Sequence, residues 1–234
     1  MTYNLSPEEL AGFEVTWEMV ETKADRSISM KSTTSCRLMA AYPGRNTYLY
    51  FESLFEFECA MYFWTQHTVV DVRTQYRVTY VDESGKQEHF FDLMVTFITG
   101  EVVLYACRPK GRDKNGELDK ALKNIRNQTL RLHADRCEML TDEDITEALV
   151  YRAREILRSR KFKNTANCER LYELMREIGK PIKVFQLQEK FGDEGAAWNA
   201  MWNLIDAGWV EHLAPDENDT LTELSWVKAV EYNG

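Results

Sequence analysis

The stretch from residue 75 to residue 109 limits the fold of this chain more than any other. Tyr76, Val78 and Tyr80 alternate with Arg77 and Thr79, the period-two pattern of a strand with one buried face. Asp82-Glu83-Ser84-Gly85-Lys86 carries the residues of a hairpin turn, and Thr99-Gly100 repeats the signal. Pro109 then removes the donor that a further ladder bond would need. Strands are predicted over 75–81, 87–98 and 101–108, arranged as a meander. On both sides of them the period becomes helical. Apolar residues at 51, 54, 55, 61 and 62 predict a buried helix over 51–64. Leu118, Leu122, Ile125, Thr129 and Leu132 predict a second, and a short strand is expected at 136–140. The order helix, three strands, helix, strand places the chain in the α+β class.

Further along, Thr141 with Asp144 reads as a capping pair opening an Arg-rich helix that runs to about residue 160. Helices are expected over 168–178, 183–191 and 194–207, with Gly179-Lys180-Pro181 and Gly208 as stops. Two short strands, 209–213 and 221–227, flank the polar tip 215–219. Three helices followed by a two-stranded wing predict a winged-helix domain. At the other end, Ser6 and Glu9 form a capping box with Pro7 at the first helical position, which predicts a short helix. Residues 22–35 lack periodicity and read as an arm, and Pro43-Gly44-Arg45-Asn46 marks a turn. The division expected is an arm over 1–29, an α+β domain over 30–141, a connector helix over 142–164 and the winged helix over 165–234.

The 234 residues, 44% of them hydrophobic, can bury a substantial core. No apolar run approaches membrane-spanning length, and the first twelve residues carry two glutamates where a secretory signal would be basic and apolar, so no membrane partner and a cytoplasmic location are expected. Five cysteines without a CxxC pair predict reduced thiols rather than disulfides or structural zinc. The net charge of −9 is spread unevenly: residues 108–163 carry 15 Lys and Arg against 10 Asp and Glu. Arg108, Lys110 and Arg112 form one basic run, and Arg152, Arg158, Arg160, Lys161 and Lys163 belong to another. Both are candidates for contacts to the phosphates of double-stranded DNA, and both also fit ordinary solvated faces.

Two acids stand out as candidates for chemistry, Glu56 on the first helix and Asp92 inside the second strand. A strand-interior aspartate needs compensation, from a divalent cation or from a basic neighbour such as Arg108. The strings Glu52-Ser53-Leu54-Phe55-Glu56, Val70-Asp71-Val72-Arg73-Thr74-Gln75, His89-Phe90-Phe91-Asp92-Leu93-Met94-Val95 and Tyr105-Ala106-Cys107-Arg108-Pro109 resemble, in order and spacing, the TnsA endonuclease family of heteromeric transposases. The resemblance covers about residues 45–228. It implies a restriction-endonuclease-like core, a winged-helix second domain that engages partner proteins, and Glu56 and Asp92 as ligands of catalytic Mg²⁺. Two positions depart from the family pattern. Ala106 stands where an acid or Gln is usual, and Arg108 where Lys is usual; side chains alternate with period two, so these two share a face that is expected to meet Asp92 across the hairpin. A methyl group cannot hold a cation, and a guanidinium keeps charge but not the adjustable basicity of an ammonium. The expectation is therefore DNA binding with impaired or lost cleavage, with Mg²⁺ held weakly or not at all and a role in transposition, recombination or regulation. The alternatives are an active divalent-metal endonuclease of the TnsA type and an interaction protein that never touches DNA. The helix over 194–207 lacks Lys and Arg, so Trp198 and Trp202 on it are read either as core or as the anchor for a protein partner. The four histidines show no metal-ligand spacing and read as structural or surface residues.

Overall fold

A computed structural model describes residues 22–26, 36–42, 47–113, 115–214 and 219–230. The helix expected near Ser6, the turn at 43–46 and most of the polar tip at 215–219 lie outside them. The fold is mixed α+β. A hairpin, β1 (Leu38–Ala41) and β2 (Tyr48–Phe51), leads into α1 (Leu54–Thr65). Strands β3 (Val69–Asp82), β4 (Gly85–Phe97) and β5 (Val102–Cys107) form the expected meander. Helix α2 (Glu117–Gln128) and a 3-10 turn then cross over to β6 (Arg136–Leu140), which pairs parallel to β5. The sheet order is β3-β4-β5-β6.

Each face of this sheet is closed by a helix. Cys59, Ala60, Phe63 and Trp64 of α1 pack on Val72, Leu93, Val95, Val103, Tyr105 and Cys107. On the other face Leu118, Leu122 and Ile125 of α2 pack on Val78, Phe91, Leu104, Ala106 and Cys137. A regular strand would keep Val72 with Val78, and Leu93 with Phe91, on one face, because side chains alternate. Here both strands change face between those residues. The change falls at Gln75, whose φ of +55° is left-handed, and at Asp92, both between the pairs Thr74↔Leu93 and Tyr76↔Phe91. Strand β5 keeps its alternation throughout.

The connector begins later than the sequence suggests. Asp144 accepts from the Thr141 amide at 2.8 Å and hydroxyl at 2.7 Å, closing a turn rather than opening a helix. Helix α3 (Glu147–Lys161) is capped instead by Thr146, whose side chain accepts from the Leu149 amide. Helix α4 (Thr165–Ile178) ends at Gly179 in the left-handed conformation that an achiral residue adopts without penalty. After it come β7 (Ile182–Lys183), α5 (Val184–Phe191), α6 (Glu194–Asp206), β8 (Val210–His212) and β9 (Trp226–Ala229), the three strands forming a small sheet in the order β7-β9-β8. Leu171, Met175, Leu187, Phe191, Met201 and Trp202 share the core of this second unit.

Arg160 ties the two units together. Its guanidinium grips both carboxylate oxygens of Asp206 on α6 at 2.7 and 2.8 Å, and donates to the carbonyls of Trp64 at 2.8 Å and Thr65 at 3.2 Å. Those carbonyls end α1, where the helix leaves acceptors unpaired and favours positive charge. Replacing Arg160 with Ala should lower stability by about 2 kcal/mol, since charge-assisted bonds at partly buried sites are lost. Arg158→Ala, at a side chain 70% exposed and 4.0 Å from Glu155, should change it by less than about 0.5 kcal/mol. Thermal unfolding of the two variants side by side checks this; equal midpoints would contradict it.

Candidate carboxylate and arginine site

The first acid of the site is fixed by the start of α1. Ser53 is its N-cap, accepting from the Glu56 amide at 3.2 Å. Glu56 answers by accepting from the Ser53 hydroxyl at 2.9 Å and the Glu52 amide at 2.8 Å. This reciprocal pair is a capping box, and Ser53-Leu54-Phe55-Glu56 carries its sequence signature. Glu56 is buried, and burial raises its carboxyl above the usual glutamate value in spite of those two bonds. Both of its oxygens are thus already engaged in holding the helix end.

Asp92 sits where β4 changes face. The ladder between β4 and β5 stops at Leu93↔Tyr105, and one residue on, the Asp92 carboxylate takes the Cys107 amide at 2.7 Å in place of a backbone acceptor. Burial, and next the nearby Glu56 carboxylate, push Asp92 from an ordinary 3.8 to about 8, against the pull of the Cys107 amide and of Arg108. Arg108 follows β5 with an exposed side chain, and its charge reaches Glu56, Asp92 and His89. His89 stacks edge-on against Phe91 and is pushed down to about 4, first by burial and then by Arg108, so it is neutral at pH 7. The structure therefore brings Glu56, Asp92 and Arg108 into one electrostatic group.

Ala106 does not join that group as a ligand position. It is buried among Phe91, Leu104, Leu118 and Leu122 beneath α2, whereas Asp92 answers to Glu56 on α1. The expectation that Asp92 shares a lining with position 106 is corrected accordingly: β5 alternates without interruption while β4 does not.

Arg26, which no sequence motif marks, also joins the site. Arg26 donates to the Gln75 side-chain oxygen from Nε at 3.1 Å and from Nη2 at 2.5 Å, and from Nη2 to Glu52 Oε2 at 2.6 Å. Its guanidinium lies 4.8 Å from the centre of the Phe90 ring. The segment carrying it is fastened to β3 around Gln75: the Asp25 amide donates to the Gln75 carbonyl at 3.1 Å, and Asp25 accepts from the Arg77 amide at 2.9 Å. The signal for Gln75 in the sequence is faint, a lone amide where apolar alternation begins.

The basic runs are used unevenly. Arg112 is exposed in the turn after Pro109. Lys110 is exposed but ion-paired with Glu143. Arg152 lines a crevice with His212 and Asp219, where burial lowers its basicity. Lys161 lies 5.7 Å over the Phe162 ring, and Lys163 edges a groove of about 890 Å³ between α4 and α6. Arg158 stays exposed, while Arg160 is committed to the clamp and so is withdrawn from any phosphate surface. Trp202 is 2% exposed core, which removes it as a partner anchor. Trp198 is half-buried, edge-on to Trp202, and donates to Glu155 at 3.1 Å.

All five cysteines are free thiols, and among the described residues no group of three or more His, Cys, Asp or Glu side chains is placed to hold a metal. No described helix is long and apolar enough to cross a membrane. No protein-family model matches the chain, and no curated protein matches it.

Two outcomes follow from this geometry. Because the folded carboxyl of Asp92 titrates above the unfolded one, the unfolded chain loses that proton first, and the contribution of Asp92 to stability falls as pH rises from about 4 to about 8. Asp92→Asn keeps an acceptor for the Cys107 amide and removes that loss. It should raise the unfolding midpoint at pH 8, by about 2–4 °C per kcal/mol regained, and change it little at pH 4. A variant whose advantage grows toward acid pH would refute the assignment. Ala106→Glu should destabilise by about 2–4 kcal/mol by burying a carboxylate among apolar groups, and a variant as stable as wild type in denaturant titration would place position 106 elsewhere.

Proposed function

We propose that the chain binds double-stranded DNA through a nuclease-like unit that has lost efficient cleavage, with a winged-helix second unit reserved for contacts to other proteins. The observation that carries this reading is Arg108: an exposed guanidinium whose charge reaches two carboxyls, of which Glu56 is engaged in capping its helix and Asp92 is driven by burial to favour its protonated form. Such a site attracts a phosphate oxygen, where an ionised carboxylate cluster without a cation would repel it.

The ligands that the TnsA resemblance implies for Mg²⁺ fit poorly. Glu56 caps its own helix and Ala106 supplies no oxygen, so only Asp92 of that set could meet a hard cation, which favours several oxygen ligands. Phosphate binding survives that loss because it needs only positive charge and donors. Arg112 extends the positive edge beyond Pro109, where Lys110 is paired with Glu143, and Arg158, Lys161 and Lys163 offer a second one along α3 and its end. The succession of α4, β7, α5, α6, β8 and β9, with β9 between the other two strands, supports the winged-helix reading. The acidic start of α6 makes that helix a poor reader of the major groove, so a protein partner suits the unit better than DNA.

Gel shifts on duplex oligonucleotides between about 50 and 200 mM salt test the proposal. Binding should weaken steeply with salt. Arg108→Ala and Arg112→Ala should each lower the slope of log affinity against log salt by about 0.9, while supercoiled plasmid incubated with Mg²⁺ stays uncut. No shift at about 50 mM salt, or a shift indifferent to salt, would refute DNA binding, and nicking abolished by Asp92→Ala would establish the endonuclease instead.

A further inference from the structure

We propose that the crevice between α3 and the second unit binds a small organic monocarboxylate, with Arg152 holding its carboxylate and an apolar wall holding its body. The proposal goes beyond the DNA-binding reading and does not rest on it.

The crevice encloses about 290 Å³ and draws its lining from Leu149 and Arg152 on α3, Trp202 on α6, His212 at the end of β8, and Asp219 and Leu221 beyond it. Arg152 is an exposed cation at its border that makes no hydrogen bond or ion pair among the described residues. Asp206, the acid whose charge acts on it, is already gripped through both oxygens by Arg160 at 2.7 and 2.8 Å. Desolvation beside the crevice outweighs that attraction and lowers the basicity of Arg152. A partly desolvated guanidinium without a close partner favours an oxyanion whose two oxygens match its fork.

Trp202 supplies an independent indication. It is 2% exposed, it lines the crevice, and its Nε1 has no hydrogen-bond partner among the described residues. A buried indole N–H usually finds an acceptor, and leaving it without one is costly. The ring sits edge-on to both Tyr151 and Trp198, which fix its place. His212 stands beside them, held below the usual histidine value by burial and next by the charge of Arg152, so at pH 7 it is neutral and keeps one N–H to donate. The lining therefore holds a free cation and an unanswered donor.

The other residues select among oxyanions. Leu149, Leu221 and the Trp202 ring form an apolar wall that a bare hydrated ion leaves wet and an apolar ligand body covers. Asp219 lines the same crevice, and its carboxylate repels a second negative charge. Together they favour one charge joined to an apolar body over phosphate or a nucleic-acid strand. The volume lies at the lower limit of ligand cavities, which restricts that body to about the size of one ring. Arg152 is thereby taken out of the phosphate-contacting run in which its sequence neighbours place it.

Benzoate is the probe, titrated into the full chain at pH 7 by calorimetry beside benzamide, acetate and inorganic phosphate. It should bind one to one with a Kd on the order of millimolar or below. Benzamide, which lacks the charge, acetate, which lacks the ring, and phosphate, which carries more charge, should each bind about tenfold or more weakly. Arg152→Met should abolish benzoate binding, and Asp219→Asn should tighten it and admit phosphate. In wild type the Trp202 indole N–H resonance should move as benzoate saturates the chain. No binding at benzoate concentrations on the order of 10 mM, benzamide or phosphate as tight as benzoate, or full affinity in Arg152→Met would each overturn the proposal. Should Arg152→Met fail to fold, Asp219→Asn, at an exposed side chain, decides it: a benzoate affinity that this change leaves untouched would place the ligand elsewhere.

Discussion

A carboxylate inside a strand must find donors, and Asp92 finds one by interrupting the ladder. Where β4 would offer a carbonyl to β5, the Asp92 side chain takes the Cys107 amide at 2.7 Å. The same position is where β4 changes face, opposite the left-handed Gln75 of β3. Much of the site follows from that interruption. It lets the open end of the β3-β4 hairpin, with Val72, Leu93 and Val95, pack beneath α1 and the turn end, with Val78 and Phe91, beneath α2, and it leaves an acid, an amide and an arginine grouped at the crossover. Because the group is partly enclosed and Glu56 is near, its charge is relieved by a proton on Asp92 and by Arg26 between Glu52 and Gln75. Energetically the site is a place where several local rules are broken at once, which marks binding sites more often than scaffolds.

Part of this could be read from the residues. Alternation from Tyr76 to Tyr80, the turn at 82–86 and Pro109 give the meander, and helical spacing of Leu118, Leu122 and Ile125 gives α2 with β6 after it. Those signals are local and repeat over many residues, so they survive the absence of tertiary information. The site was readable only in outline. Glu56, Asp92 and Arg108 are brought together as expected, but period-two reasoning assigns Ala106 to their side of the sheet, because nothing local announces that β4 changes face at residue 92. One residue out of β geometry reverses every later side chain. Glu56 shows the opposite case: Ser53-Leu54-Phe55-Glu56 spells a capping box, a signal present in the sequence and overshadowed by the resemblance.

Charge counting has a similar limit. Residues 108–163 are net basic, yet the structure divides their cations by geometry rather than by sign. Arg160 closes the ends of α1 and α6 together, Lys110 is ion-paired with Glu143, and Arg152, though exposed, borders a crevice beside His212. Arg108, Arg112 and Arg158 keep exposed guanidinium groups. Trp198 and Trp202 divide likewise, one half-buried on Glu155 and the other sealed in the core. Long-range partners of this kind, such as Arg160 with Asp206 or Arg26 with Gln75, leave no trace in spacing or composition.

The central claim is that the Asp92 carboxyl is partly enclosed beside Glu56 and keeps its proton near neutral pH. Its side-chain carbon, followed by carbon-13 NMR in the wild-type chain from pH 3 to pH 9, reports that directly. The account requires a midpoint near the value of about 8 that the surroundings impose. A carboxyl that ionises like an ordinary exposed aspartate, at about pH 4, would contradict it.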